Sequence, residues 1–167
     1  MVGTSIGAGR RDRALRVAWT GAAIAGAVTE LIGLAGAFFP QAWLTLFGAD
    51  ATMAEVGAQY LRIVGPFYGF FGLGLSLYFA SQGAGRLRWP LFAAALRVTI
   101  AAGGGWLALH FWGYLAGVFL ALAFALAAFG IVNATAIACG VWFDRTERRP
   151  VSPIAGPVLM AAESEPL

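Results

Sequence analysis

The sequence predicts an all-α integral membrane protein in which four transmembrane helices run up and down. Of its 167 residues, 60% are hydrophobic and only 11% are charged, whereas soluble domains carry about 25% charged residues. A membrane-spanning helix needs about 20 predominantly apolar residues. Four segments meet this requirement, at about residues 17–39, 60–81, 90–109 and 114–142. Residues 1–16 form a basic lead-in, and the polar, proline-containing residues 143–167 are expected to be a disordered cytoplasmic tail.

The arginines predict how these segments are oriented. Nine of the eleven basic residues lie before the first segment, between the second and third, or after the fourth. The connection between the first two segments carries Asp50 and Glu55 but no basic residue. By the positive-inside rule, both termini are expected to face the cytoplasm. The protein is expected to lie in the inner (plasma) membrane. Because the arginines are distributed by membrane side, the net charge of +3 does not indicate a nucleic-acid partner, and none is expected.

One short phrase occurs twice, each time before an apolar segment. It reads "SIGAGRRDRA" from Ser5 and "SQGAGRLRWP" from Ser81. Glycines at such positions end a helix and permit a reversed turn, and arginine anchors the turn at the inner interface. A dinucleotide-binding loop would need a third glycine between a strand and a helix, which neither copy has. Because no long helix precedes the first copy, the chain is expected to be an N-terminally truncated piece that begins within a helical hairpin.

These phrases resemble multidrug and toxic compound extrusion (MATE) transporters. The stretch "VGTSIGAGRRDRALRVAW" is similar to the segment that closes the second or eighth helix of that family. The phrase "YLRI" resembles the start of the tenth helix, and "SQGAGRLRWPL" resembles the turn between the tenth and eleventh. The resemblance covers about residues 1–142. It implies helices nine to twelve of a twelve-helix fold, as part of one six-helix transporter lobe.

The resemblance also implies a cation-coupled antiporter that uses H⁺ or Na⁺ to export organic, often cationic, compounds. Its partners would be membrane lipid, the small organic substrate, the coupling ion and the remaining transporter helices. Many family members carry an acidic residue for ion coupling in the tenth helix, whereas residues 60–81 contain no Asp or Glu, so the coupling ion stays open. Two alternatives also stay open. One is a complete four-helix protein with a structural or assembly role, and the other is a lipid-linked saccharide flippase of the same superfamily.

The composition argues against an enzyme. With one Cys and one His, the chain cannot form an internal disulfide or a metal cluster of several Cys or His ligands. The sequence shows no paired carboxylates and no nucleophile with a base, and nothing in it indicates a cofactor.

Two charged residues, Glu30 and Arg97, lie well inside predicted segments. At helical spacing each shares a face with small residues, which let membrane helices approach closely, so both side chains are expected to face the bundle. Counting from the inner helix ends places Glu30 roughly 20 Å and Arg97 roughly 10 Å deep, so an ion pair would need helix tilt. Otherwise Arg97 extends to the headgroups. Glu30 then either lies on a proton or substrate path, or is a structural carboxyl, protonated or bonded to nearby Ser, Thr or Asn.

Three further residues complete the candidate substrate or ion path. Pro66 should kink the second segment, and broken transporter helices often line cavities, although close packing explains a kink equally well. Tyr68 offers a ring and a hydroxyl to a cation, and Asn133 is expected to hydrogen-bond across helices.

Thr52 and Glu55 are predicted to form a capping box at the start of the second helix.

Overall fold

A computed structural model describes residues 1–46, 48 and 50–143. These residues form seven α-helices and two short 3₁₀ turns, with no strand among them. In chain order the helices are α1 (Val2–Gly7), α2 (Arg11–Phe38), α3 (Pro40–Leu46), α4 (Ala51–Val64), α5 (Tyr68–Gly83), α6 (Arg88–Trp112) and α7 (Leu115–Ala138). The 3₁₀ turns span Gly65–Phe67 and Val141–Phe143. The predicted tail, apart from its first residue, lies outside the described residues.

Within the described part of the chain, four helical stretches are long and apolar enough to cross a membrane. They are α2, the combined stretch of α4 and α5, most of α6, and α7. The predicted fold class, an all-α membrane protein with four spanning helices, is therefore confirmed.

The second span is longer than its apolar core suggested. It covers the 33 residues Ala51–Gly83, which at 1.5 Å per residue is about 50 Å, against a hydrocarbon core about 30 Å thick. Its first turns are packed against α3, where Leu44 lies in the space beside Gly57. The sequence gives no sign of α3, because its seven residues are too few to show a clear apolar period.

The start of α4 corrects the predicted capping box. The N-cap is Asp50, whose carboxylate oxygen Oδ1 accepts a hydrogen bond of 2.8 Å from the Met53 backbone N–H. Thr52 is therefore already inside the first turn, and its hydroxyl is not the cap. Aspartate is as good an N-cap as threonine, so the sequence offered two possible starts and the helix uses the earlier one.

The repeated phrase forms the same turn in both places. After α1, the Gly9 N–H binds the Ile6 carbonyl at 2.9 Å and the Arg10 N–H binds the Ser5 carbonyl at 2.9 Å. After α5, Gly85 and Arg86 make the corresponding bonds at 3.0 Å each. The two turn glycines have φ values of 72° and 71°. This pattern is the Schellman motif, in which glycine takes the left-handed position after the helix.

The two turns lie side by side because α1 packs against the end of α5. A Cβ atom added to Gly3 would lie only 2.7 Å from the Gly83 carbonyl oxygen. Each turn then leads into a long helix that begins with arginine, α2 at Arg11 and α6 at Arg88.

Helix α5 occupies the centre of the bundle. It packs against α2 on one side and α7 on the other, and α6 packs mainly on α7. One buried cluster, near the repeated turns, joins α2, α5, α7 and the 3₁₀ turn after α7 through Ala18, Ala22, Leu77, Ile137 and Trp142. The indole Nε1–H of Trp142 also donates a 3.1 Å hydrogen bond to the Ser81 hydroxyl, which ties the chain after α7 to the end of α5.

Candidate functional site at the broken helix

The second span is interrupted at Pro66, a little before its midpoint. Proline has no backbone N–H, so it cannot complete the α-helical hydrogen-bond pattern. The chain passes through the 3₁₀ turn Gly65–Phe67 and resumes as α5 at Tyr68. The break therefore gives α5 a helix N-terminus inside the membrane-spanning part, and the first N–H groups of a helix lack partners within it.

Helix α2 crosses this break at very short range. A Cβ atom on Gly33 would overlap the Gly65 carbonyl oxygen and would lie 2.9 Å from Tyr68 Cβ. A Cβ atom on Gly65 would in turn lie 2.5 Å from the Gly33 carbonyl oxygen. Only hydrogen atoms fit on either side, so the two backbones touch here.

Glu30 provides a hydrogen-bond acceptor to the new helix start. Its carboxylate oxygen Oε2 accepts a 2.7 Å hydrogen bond from the Gly69 backbone N–H, and the side chain is half-buried. Gly69 is the second residue of α5, where the aligned peptide dipoles attract negative charge. A Ser, Thr or Asn partner was the expectation for a structural Glu30. The backbone donor was missed, although Pro66 indicated a helix start with unpaired N–H groups just after it.

Glu30 and Pro66 line one groove of about 330 Å³ on the surface of the α2–α5 pair. The remaining lining residues are Ala23, Gly26, Ala27, Gly69, Phe70 and Leu73. Ala23 and Ala27 are exposed, so the groove opens away from the bundle. Among its lining residues, Glu30 carries the one ionisable side chain.

Tyr68 points to another part of the bundle. Its hydroxyl oxygen lies 3.1 Å from the hydroxyl oxygen of Tyr60, and the Tyr60 ring meets the Phe119 ring edge-on with 5.5 Å between centroids. Tyr68 thus belongs to an aromatic cluster between α4 and α7, and it does not line the Glu30 groove.

Arg97 packs on two aromatic rings. Its guanidinium carbon Cζ lies 4.8 Å from the ring centroid of Phe71 and 5.6 Å from that of Phe129, distances at which a cation is attracted to a ring face. Arg97 therefore faces the bundle, and its guanidinium packs on rings of α5 and α7.

Among the described residues, Arg97 and Glu30 form no ion pair. Glu30 contacts α5 at position 69 and Arg97 contacts it at position 71, a rise of only about 3 Å along the helix. The expected depth difference is therefore not what keeps them apart. At 100° per residue the two positions point about 160° apart, so the body of α5 lies between the two charges.

Asn133 corrects another expectation. Its amide nitrogen Nδ2 donates to the carbonyl of Phe129, one turn earlier in the same helix, at 2.9 Å. Its side chain therefore bonds within α7 and not across helices. The residue is 1% exposed, and its oxygen Oδ1 has no hydrogen-bond partner in the described part of the chain.

No three His, Cys, Asp or Glu side chains of the described residues come together as metal ligands. The structure thus brings Glu30 and Pro66 into one groove, places Arg97 and Asn133 around Phe129, and leaves Tyr68 in the aromatic cluster.

Comparison with known proteins decides the family. The model of the MatE family matches residues 1–107, a stretch that includes both repeated turns, the broken helix, Glu30 and Arg97. The chain belongs to the MatE family. No curated protein and no solved structure matches it. MatE proteins are transporters and not enzymes, so this chain is a multi-pass membrane protein of a transport family.

Proposed function

We propose that this chain works as part of a cation-coupled antiporter, driven by H⁺ or Na⁺, that exports organic, often cationic, compounds across the inner (plasma) membrane. Its four spanning helices would correspond to helices nine to twelve of the MatE fold. The observation that carries the proposal is the carboxylate of Glu30, which lies in a groove within the membrane-spanning part beside a broken helix.

The position of Glu30 supports a role in transport. Ionisable residues inside membrane segments are costly and usually face a protein interior or a water-filled cavity. Because the groove opens over the exposed Ala23 and Ala27, we expect another transporter helix or a water-filled passage to cover it. Broken helices with their ends at such cavities are a common way for transporters to bind ions and substrates.

A coupling ion at Glu30 would act directly on the break. A proton or Na⁺ on the carboxylate would compete with the Gly69 N–H for the same oxygen atoms. Weakening that 2.7 Å hydrogen bond would free the first turn of α5 from α2. Ion occupancy and the conformation of the broken helix would then be linked.

The test replaces Glu30 by Gln in the native cells, which supply any further helices that the transporter needs. Efflux of a cationic dye is measured under an imposed pH gradient and, separately, under a Na⁺ gradient. Glutamine keeps the shape and a hydrogen-bond acceptor but cannot titrate or carry charge. We expect normal abundance in the membrane, reduced efflux and a weaker response to the driving gradient.

Glu55→Gln is the matched control, because Glu55 is an exposed carboxylate on α4 outside the groove. It should leave efflux and gradient response as in the wild type. If Glu30→Gln also leaves both unchanged, Glu30 has a packing role only. If the variant is lost from the membrane, the carboxylate is structural.

A further inference from the structure

The start of α2 carries a dense group of positive charges around an open cavity. The cavity has a volume of about 830 Å³, and its charged lining residues are Arg10, Arg11, Asp12, Arg13 and Arg16. All five of these side chains are exposed. Four arginines against one carboxylate leave a surplus of positive charge, and a cavity lined by one sign of charge attracts the opposite sign. The cavity is therefore suited to an anion.

A second cavity adjoins the first on the side of α1. It has a volume of about 210 Å³, and Thr4 and Ser5 of α1 are among its lining residues. Arg10, Arg13 and Val17 line both cavities. The guanidinium groups of these two arginines can thus donate hydrogen bonds into either space. Arginine binds phosphate oxygens well, because its planar group makes two parallel hydrogen bonds.

Two exposed tryptophans indicate the level of these arginines in the membrane. Trp19 follows Arg16 by three residues on α2, which is about 4.5 Å along the helix. Trp89 directly follows Arg88 at the start of α6. Tryptophan is enriched where lipid headgroups meet the hydrocarbon core. The arginines at the start of α2 therefore lie at the level of the headgroups.

The face of α2 that carries Arg13 continues as an exposed apolar stripe. Ile24, Val28 and Leu31 follow Arg13 by about three, four and five helical turns, and each is more than half exposed. Val17, which lines both cavities, lies about one turn after Arg13 on the same side. An anion that carries an apolar chain would match this surface, whereas a free phosphate would leave the stripe uncovered.

From this arrangement we propose that the start of α2 binds an anionic phospholipid. Arg10 and Arg13 bind its phosphate group, and an acyl chain lies along the apolar stripe. The second copy of the repeated phrase has Trp89 at the position of Arg13, so it offers an aromatic ring where the first copy offers a cation. The inference goes beyond the proposed transport function and does not depend on it.

The test measures lipid binding to the purified full chain by native mass spectrometry. The probes are phosphatidylglycerol and the zwitterionic phosphatidylcholine, both with oleoyl chains, and a titration gives each Kd. One basic residue near anionic lipid is worth about fivefold in binding, so two arginines should favour phosphatidylglycerol by about 25-fold. The double variant Arg10→Gln, Arg13→Gln should remove this preference and leave the Kd of phosphatidylcholine unchanged.

Two further variants make the result specific. Arg88→Gln is the matched control, because Arg88 is an exposed arginine at the same end of the bundle and lines neither cavity. It should keep the full preference. Asp12→Asn removes the carboxylate of the larger cavity and should tighten phosphatidylglycerol binding by about fivefold. If the double variant does not accumulate, Asp12→Asn decides, since it keeps every arginine that directs insertion.

Equal binding of both lipids by the wild type would overturn the inference. So would a preference that the double variant keeps, that Asp12→Asn leaves unchanged, or that Arg88→Gln reduces as much as the double variant does. Inorganic phosphate at the concentration of the lipid should not displace phosphatidylglycerol, and displacement would show an anion site without a lipid. All of these outcomes leave the proposed function intact, because dye efflux that depends on Glu30 is measured separately.

Discussion

At the scale of single residues, the absence of side chains is as important as their presence. Gly33 and Gly65 let α2 touch the break in the second span, and that contact brings Glu30 within reach of the Gly69 N–H. A methyl group at the crossing would move the two helices apart. The hydrogen bond of Glu30 therefore depends on glycines that carry no chemistry themselves.

Gly33→Ala should destabilise the folded protein by about 2 kcal/mol, the usual cost of adding volume to a well-packed interior. The new Cβ would overlap the Gly65 carbonyl oxygen and crowd Tyr68. The measurement is the free energy of unfolding in mixed micelles. The control is Gly103→Ala on α6, where nothing lies within 4 Å of the added atom. Because alanine favours helix, the control should be neutral or more stable by up to about 1 kcal/mol. Equal effects of the two substitutions would show that the crossing is not tight.

The sequence predicted which way Arg97 faces but not what the charged residues contact. Small residues at helical spacing indicated that Glu30 and Arg97 point into the bundle. Arg97 does, whereas Glu30 contacts α5 from a groove that opens away from the bundle. Their partners are a backbone N–H and two aromatic rings from other helices. Such contacts depend on the register between helices, which one helix's periodicity does not contain. The prediction that Asn133 bonds across helices was wrong for the same reason, because its amide donates to a carbonyl of its own helix.

At the scale of elements, the repeated turn shows how a six-residue phrase sets a helix end. Both copies place alanine, glycine and arginine in the same order after a helix, and both close with the same pair of backbone hydrogen bonds. Only the glycine with positive φ needs its identity for this geometry. The other glycine of the first copy, Gly7, has open space around it, because nothing lies within 4 Å of an added Cβ atom.

Gly85→Ala should cost about 1–2 kcal/mol of stability, the penalty for an L-residue in the left-handed region. Its φ is 71° although the surrounding space is open, so the penalty comes from the backbone alone. Gly7→Ala has the same open surroundings without a positive φ and should change the unfolding free energy little. Thermal unfolding of both variants in one detergent compares them directly. A neutral Gly85→Ala would mean that the turn relaxes to another shape.

Element positions were easier to predict than element ends. Apolar length located all four spanning stretches, and Pro66 predicted a kink where the 3₁₀ turn lies. The short α3 was missed, because it lies outside the apolar core and carries no membrane signal, and the start of α4 was predicted two residues too late, with Thr52 instead of Asp50 as the N-cap. Capping at Asp50 was missed because a second plausible cap, Thr52, stood two residues later.

At the scale of the whole molecule, arginine-rich helix starts and an acidic connection lie at opposite ends of the helix bundle. Helices α2 and α6 both begin at arginine, whereas the connection through α3 to the start of α4 carries the acidic residues Asp50 and Glu55. Because chains insert with their arginine-rich connections inside, this arrangement favours cytoplasmic placement of the two repeated turns.

Cysteine labelling tests that placement. The native Cys139, exposed just after α7, should react with a membrane-impermeant maleimide only after the cells are permeabilised. Gln41→Cys on the exposed surface of α3, made in a Cys139→Ala background, should react in intact cells. The Cys139→Ala protein alone is the unlabelled control. The opposite labelling pattern would reverse the topology and remove the alignment with MatE helices nine to twelve.

The family and the membrane fold could be predicted from local phrases, since turns and apolar runs are local properties. The sequence could not predict which surfaces of the four-helix unit are covered, because that depends on contacts between distant segments. The groove at Glu30 is formed by residues from 23 to 73, and no pattern within α2 alone indicates its open side.

The backbone contact between Gly33 and Gly65 has a mechanical consequence. It lies at the junction between α4 and α5, so α4 can rotate about this contact. The 14-residue α4 is about 21 Å long at 1.5 Å per residue. A rotation of about 10° would therefore move its far end by about 4 Å. Helix α5 would stay in place, because Leu77 lies in the buried cluster with α2 and α7 and Ser81 is hydrogen-bonded to Trp142. The far end of α4 could thus move toward and away from the bundle while the two repeated turns remain still.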